Sequence, residues 1–214
     1  MSPSANGRSL MSISSLLASL QGDLASVAAS AQASMVQVRT RWDGAGTGTV
    51  ADADGLIVTN AHVARHPHLE VVLRDGRRLK AQVEAFDPRL DLAALRIEAH
   101  GLAAIPFGSS RGLRAGELVL AVGHPWGVEG GATLGVVIGV GADLPENLQP
   151  WRDLVAVSLH LRPGHSGGPL VDVYGRLVGI STIMAGPEVG LAVPVDAVRQ
   201  FLNDRLHGAI ARAA

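Results

Sequence analysis

From Met35 to Val195 the chain is made of about a dozen short apolar segments, with no helical periodicity between them. MVQVRTRW (35–42), GTGTV (46–50), LIVTN (56–60), LEVVL (69–73), LKAQVEAF (79–86) and DLAALRIE (91–98) come first. LVLAVG (118–123), GATLGVVIGVG (131–141), LVAVSLHL (154–161), PLVDV (169–173), RLVGIST (176–182) and VGLAVPV (189–195) follow a loop at 101–117. Neighbouring side chains of a strand point to opposite faces, so apolar alternation means that one face is buried. Many short strands at such spacing fold as paired barrels or a sandwich, and folds that alternate strand with helix are excluded. The turns agree: the chain holds 26 glycines and 11 prolines, and Asp75-Gly76 marks a hairpin tip within RDGRR.

The two ends differ from this middle. Residues 14–33 have helical periodicity, with Leu17, Leu20, Leu24 and Val27 on one face and Ser14 or Ser15 available as a cap; residues 1–13 are expected to be unstructured. The tail PVDAVRQFLNDRL returns to helical spacing, with Val195, Val198, Leu202 and Leu206 on one face. Net charge is −1, which gives no electrostatic footprint for nucleic acid or anionic lipid. No apolar run approaches the roughly 18 residues that a bilayer crossing needs. Cysteine is absent, so disulfides and thiolate metal sites are excluded. Arg8 and LMSISSLLASL could begin a signal sequence, but Gln21, Gly22 and Asp23 interrupt the apolar run before any small-residue cleavage site.

Chemistry concentrates at LRPGHSGGPLVD (161–172). Gly164-His165-Ser166-Gly167-Gly168 fits the G-x-S-x-G elbow of α/β-hydrolases, but that fold needs a helix after the serine and an acid and histidine downstream. Pro169 follows instead, 48 residues remain, and their single histidine, His207, lies in the helical tail. The second fit, G-x-S-G-G-P, asks for His, then Asp, then Ser. IVTNAHV places His62 after a strand, DPRLDLAAL places Asp91 at a strand start 29 residues later, and Ser166 follows after 75 more. A serine hydroxyl attacks only when an imidazole takes its proton and a carboxylate orients that imidazole. Gly164 allows the backbone to turn so that the amides of residues 164 and 166 converge.

In order, IVTNAHV, DLAAL, LRAGELVLAVGHPWG, GHSGGPLVD, LVGIST and VGLAVPV resemble the protease domain of the HtrA/DegP serine proteases, within the chymotrypsin-like superfamily. The resemblance runs from about residue 35 to about 203. It implies an all-β fold of two six-stranded Greek-key barrels of the trypsin type, about 35–108 and 115–195, with an N-terminal segment and helix (1–34) and a C-terminal helix (195–207). It also implies a serine endopeptidase acting on unfolded or flexible polypeptides in protein quality control. His62 would be the general base, Asp91 its orienter and Ser166 the nucleophile. Gly164 and Ser166 would supply oxyanion amides. Leu161, with Ile183 or Met184 opposite, would line an S1 pocket for small aliphatic side chains. No cofactor and no metal are implied. The alternative is a peptide-binding, chaperone-like module with resting or vestigial catalysis.

Three departures from the family matter. His165 stands where HtrA enzymes usually carry asparagine and chymotrypsin-like zymogens an aspartate. Two roles are open to it: a neutral hydrogen-bonding substitute for asparagine, or a sensor whose protonation disturbs the oxyanion loop in mild acid. No PDZ module is expected after the helical tail, so PDZ-dependent recruitment is not carried over. Residues 1–41 contain no aromatic residue, whereas family trimers use aromatic contacts near the N-terminus; a monomer or an atypical homo-oligomer is expected. For the compartment, the N-terminus points to the cytoplasm and the resemblance points outside it.

The other histidines read as structural. His62, His66 and His68 in HVARHPH lack the HExxH glutamate, and Pro67 breaks helical spacing, so a zinc site is not expected there. His124 and Trp126 in VGHPWG are expected to shape a loop after a buried strand. His160 is expected to be a structural residue on a strand, or else to sit beneath the S1 pocket.

Overall fold

The computed structural model describes residues 12–40, 45–141, 144 and 153–207. Helix α1 (Ile13–Ala33) leads into six strands: β1 (Met35–Thr40), β2 (Ala45–Asp52), β3 (Leu56–Thr59), β4 (Leu69–Val72), β5 (Arg78–Asp87) and β6 (Leu92–Arg96). These close antiparallel in the order β1-β2-β3-β6-β5-β4. A second set follows: β7 (Leu118–Gly123), β8 (Gly131–Val140), β9 (Val155–Ser158), β10 (Pro169–Asp172), β11 (Leu177–Gly186) and β12 (Val189–Pro194). Its order, β7-β8-β9-β12-β11-β10, repeats that of the first barrel. The fold is therefore two closed six-stranded barrels of the trypsin type with a helix at each end. Closing both sheets leaves no free strand edge among the described residues.

Alternation in the sequence becomes three apolar clusters. Val36, Val38, Ile57, Val71 and Leu95 fill barrel one. Val119, Ala121, Val157, Leu159 and Leu170 fill barrel two. The third cluster joins the barrels to each other and to the helices, through Leu56, Val58, Leu92, Leu120, Leu177, Ile180 and Leu191. The connection between barrels is strapped to both: Ile105 N–H donates to the Val50 carbonyl (2.9 Å) and Leu177 N–H to the Pro106 carbonyl (2.8 Å).

Several details differ from the sequence reading. Ser12, not Ser14 or Ser15, caps α1, its hydroxyl accepting the Ser15 N–H (3.1 Å); a cap must sit just before the first helical residue, and the helix starts earlier than its apolar stripe. Leu24, Val27 and Ala28 pack on the core, whereas Leu17 and Leu20 are exposed, because only the second half of the helix lies against the barrels. The tail is α-helical over Val195–Leu202 (α2) and closes with a wider π turn, Asn203–His207. Its buried face is Val195, Val198 and Phe201. Residues 1–11, and Arg41 and Trp42 of the first expected strand, lie outside the described residues.

Candidate active site

Strand register brings His62 and Asp91 together. β3 and β6 run antiparallel with Thr59 opposite Ala93, so the turn leaving β3 meets the residue entering β6. Asn60 fastens the corner, its side-chain amide donating to the Asp91 carbonyl (3.0 Å). Asp91 is left-handed (φ 54), a conformation that Asp tolerates better than most residues. Its carboxylate accepts from the His62 backbone N–H (3.0 Å) and lies 2.9 and 3.0 Å from His62 Nδ1. That contact puts the proton on Nδ1 and leaves Nε2 as the basic nitrogen. Thr182, on β11 of the other barrel, donates its hydroxyl to Asp91 Oδ2 (2.6 Å). Burial opposes the Asp91 charge, but the hydrogen bonds from the His62 ring, the Thr182 hydroxyl and the His62 amide outweigh it and hold the carboxyl below its usual range.

Ser166 lies in the loop between β9 and β10. Its hydroxyl donates to the Thr182 carbonyl (2.9 Å), and no hydrogen bond joins it to His62. Thr182 thus links the three candidates, touching Asp91 through its side chain and Ser166 through its backbone.

Barrel one holds this loop with buried threonines. Thr47 on β2 donates its hydroxyl to the Gly164 carbonyl (2.7 Å), and Thr49 donates to that of Gly167 (3.0 Å). Thr59 on β3 donates to the Thr47 carbonyl (2.7 Å), and Thr47 N–H donates to the Ser166 carbonyl (2.9 Å). Because the one hydroxyl proton of Thr47 goes to Gly164, its oxygen accepts from His124, at the backbone N–H (3.1 Å) and Nδ1 (3.0 Å). His124 is buried, which depresses its basicity.

These bonds decide where the loop amides point. The Pro163 carbonyl accepts from Trp126 N–H (2.9 Å), and the His165 carbonyl from Gly168 N–H (2.9 Å). A trans peptide points its N–H opposite to its carbonyl, so the N–H groups of Gly164 and Ser166 face the other way. Among the described residues neither has an acceptor, whereas His165 N–H is tied to the Arg162 carbonyl (2.9 Å) and Gly167 N–H to that of Ser181 (2.9 Å). Gly164 sits at φ 103, where a side chain would also collide with the His124 carbonyl.

The expected S1 residues separate. Leu161 is buried in the barrel-two cluster, its N–H directed at Met184 Sδ (3.2 Å), and Gly190 of β12 lies against it. Ile183 is exposed. His160 is not on a strand: the chain has left β9, and its exposed ring pairs with Glu188 (3.2 Å). His66 and His68 are exposed. His124 follows β7 and enters the turn Pro125–Gly127, and Trp126 stands exposed beneath the Arg162 guanidinium, 4.9 Å from its ring centre.

The trypsin-like peptidase domain family matches residues 46–180, more than half of the chain. The chain belongs to that family. Human Serine protease HTRA4 is 39% identical over 164 residues, covering 74% of this chain and 34% of the relative. Probable periplasmic serine endoprotease DegP-like from Chlamydia trachomatis serovar D is 34% identical over 155 residues, covering 70% and 31%. The solved structure titled HtrA-type protease AlgW with tripeptide is 33% identical with TM-score 0.78, covering 86% of this chain and 64% of its own. The chain therefore spans about a third of the length of these curated relatives. Within this trypsin-like domain, sequence reading missed Thr47, Thr49, Asn60 and Thr182. A signal existed for the first two, since GTGTV puts hydroxyls at core positions, where a polar group must find a partner.

Proposed function

We propose that the chain is a serine endopeptidase that cleaves unfolded or flexible polypeptides by acyl transfer. The observation that carries this is the Asp91 carboxylate on His62 Nδ1, joined through Thr182 to a serine beside two amides that have no acceptor among the described residues. Rotation of the Ser166 side chain releases the Thr182 carbonyl and offers its proton to His62 Nε2. Oγ then attacks the scissile carbonyl, whose oxygen gains negative charge against the N–H groups of Gly164 and Ser166. His62 passes its proton to the leaving amine, and the acyl-enzyme forms. Water activated by the same imidazole releases the second product. Leu161 and Met184, with Gly190 beside them, favour small aliphatic P1 side chains, and Ile183 lies at the rim.

The Ser166–Thr182 bond favours a second reading, a peptide-binding module at rest. A fluorophosphonate probe separates the two. Labelling of the wild type and not of Ser166→Ala supports the peptidase; no labelling, with peptide binding retained, supports the binder. Proteomic mapping of cleavage sites then tests the P1 preference.

A further inference from the structure

His165 is almost wholly buried, at 1% exposure, and its Nε2 has no hydrogen-bond partner among the described residues. Its Nδ1 lies 3.0 Å from the Arg162 N–H and 3.1 Å from the Arg162 carbonyl. Two neutral tautomers are conceivable. With the proton on Nε2, Nδ1 accepts the Arg162 N–H and one buried group, Nε2–H, goes without a partner. With the proton on Nδ1, both the Arg162 N–H and the Nε2 lone pair are orphaned. An unpaired buried polar group costs about 1–3 kcal/mol, so the first tautomer is favoured. In it, residues 162–165 form a ring closed twice, by Arg162 N–H to Nδ1 and by His165 N–H to the Arg162 carbonyl (2.9 Å). That ring holds the His165 amide away from the cleft, between the two amides assigned to the oxyanion.

We propose that His165 is a positioning residue for the oxyanion amides that works only while Nδ1 is proton-free, so that protonation there opens the turn and switches acyl transfer off. The proposal rests on the peptidase reading above. The reason is local: a second proton makes Nδ1 a donor facing the Arg162 N–H, and no other acceptor exists for that N–H among the described residues. The Arg162 carbonyl, 3.1 Å from Nδ1, accepts the added proton and favours the cation, so the cost falls on the Arg162 N–H and on burial. His124, just after β7, and Arg162 and His160, on the same loop, all oppose it, and β2 presents the uncharged Thr47; Glu129 acts on His124. Burial is the larger effect and holds His165 below the ordinary histidine range, so the switch operates in acid and leaves neutral pH untouched.

The test is the fluorophosphonate labelling rate of the full chain against pH, for wild type and His165→Asn. Asparagine supplies an acceptor but takes up no proton. At the acid end the added protonation of His165 makes the wild-type rate fall more steeply than that of the variant, by about a further tenfold per pH unit. Equal slopes overturn this proposal and leave the peptidase reading intact. No labelling of either protein at any pH overturns both. Nitrogen-15 NMR of the imidazole is independent of how the variant folds: Nδ1 of His165 is unprotonated at neutral pH and gains its proton where labelling is lost. A protonated Nδ1 at neutral pH refutes the proposal.

Discussion

Thr47→Val removes a hydroxyl and keeps the shape of the side chain, at a residue with no exposure. In the wild type that hydroxyl makes three contacts: to the Gly164 carbonyl (2.7 Å), from His124 N–H (3.1 Å) and from His124 Nδ1 (3.0 Å). After substitution the Gly164 carbonyl keeps only the longer bond from His124 N–H (3.2 Å), and Nδ1–H is left buried without a partner. Losing net hydrogen bonds at about 1 kcal/mol each, with one orphaned group at about 1–3 kcal/mol, gives a destabilisation of about 2–4 kcal/mol. For a chain of this size that lowers Tm by roughly 5–15 °C. The more specific effect is on the loop. The freed Gly164 carbonyl no longer fixes its peptide, so fluorophosphonate labelling well below Tm slows at least about tenfold, equivalent to about 1.4 kcal/mol of barrier. Calorimetry and labelling kinetics at 25 °C read the two effects separately. Unchanged Tm with labelling within about twofold of wild type refutes the claim that barrel one sets the oxyanion loop.

Other substitutions probe the remaining contacts. Thr182→Val deletes a bond to a charged oxygen, worth about 1.5–3 kcal/mol, and raises the Asp91 pKa towards the ordinary carboxylate value. The depressed Asp91 pKa contributes stability that is full above the unfolded value and is lost as pH falls through the folded one, so acid unfolding of the variant, followed by circular dichroism, begins at higher pH. Gly164→Ala forces a side chain into a left-handed site against the His124 carbonyl; labelling is abolished, with a drop in Tm that Gly22→Ala on the exposed face of α1 does not produce. Gly190→Val fills the space beside Leu161, and kcat/KM falls more for peptides with P1 valine than with P1 alanine.

Legibility followed the physics of each part. Barrel strands declared themselves as short apolar segments, alternating where one face is buried, as in β4, and unbroken where both are, as in β3; the end of β11 did not, since Ile183–Gly186 continue the strand beyond its buried run. His62, Asp91 and Ser166 could be named as candidates because the residue types, order and neighbours that such chemistry needs are constrained. Thr182 could not, because its role depends on a contact across 91 residues between two barrels, and threonine on a strand carries no signal of its own. The left-handed φ of Asp91 and the pinning of Pro163 by Trp126 N–H are backbone facts, which side-chain patterns do not encode. His165 shows the middle case. Its identity raised the question of protonation, and only the 3.0 Å contact with Arg162 N–H says which nitrogen must stay bare.

The central claim is covalent chemistry at one oxygen, and trapping the intermediate tests it most directly. The protein is mixed with an activated ester of a small aliphatic acid, quenched in acid within milliseconds, and measured by intact-mass and peptide-mapping spectrometry. One acyl group per chain, mapped to Ser166 and absent from Ser166→Ala and His62→Ala, is the predicted result. Acylation at another residue, or equal acylation of Ser166 without the His62 imidazole, contradicts the account.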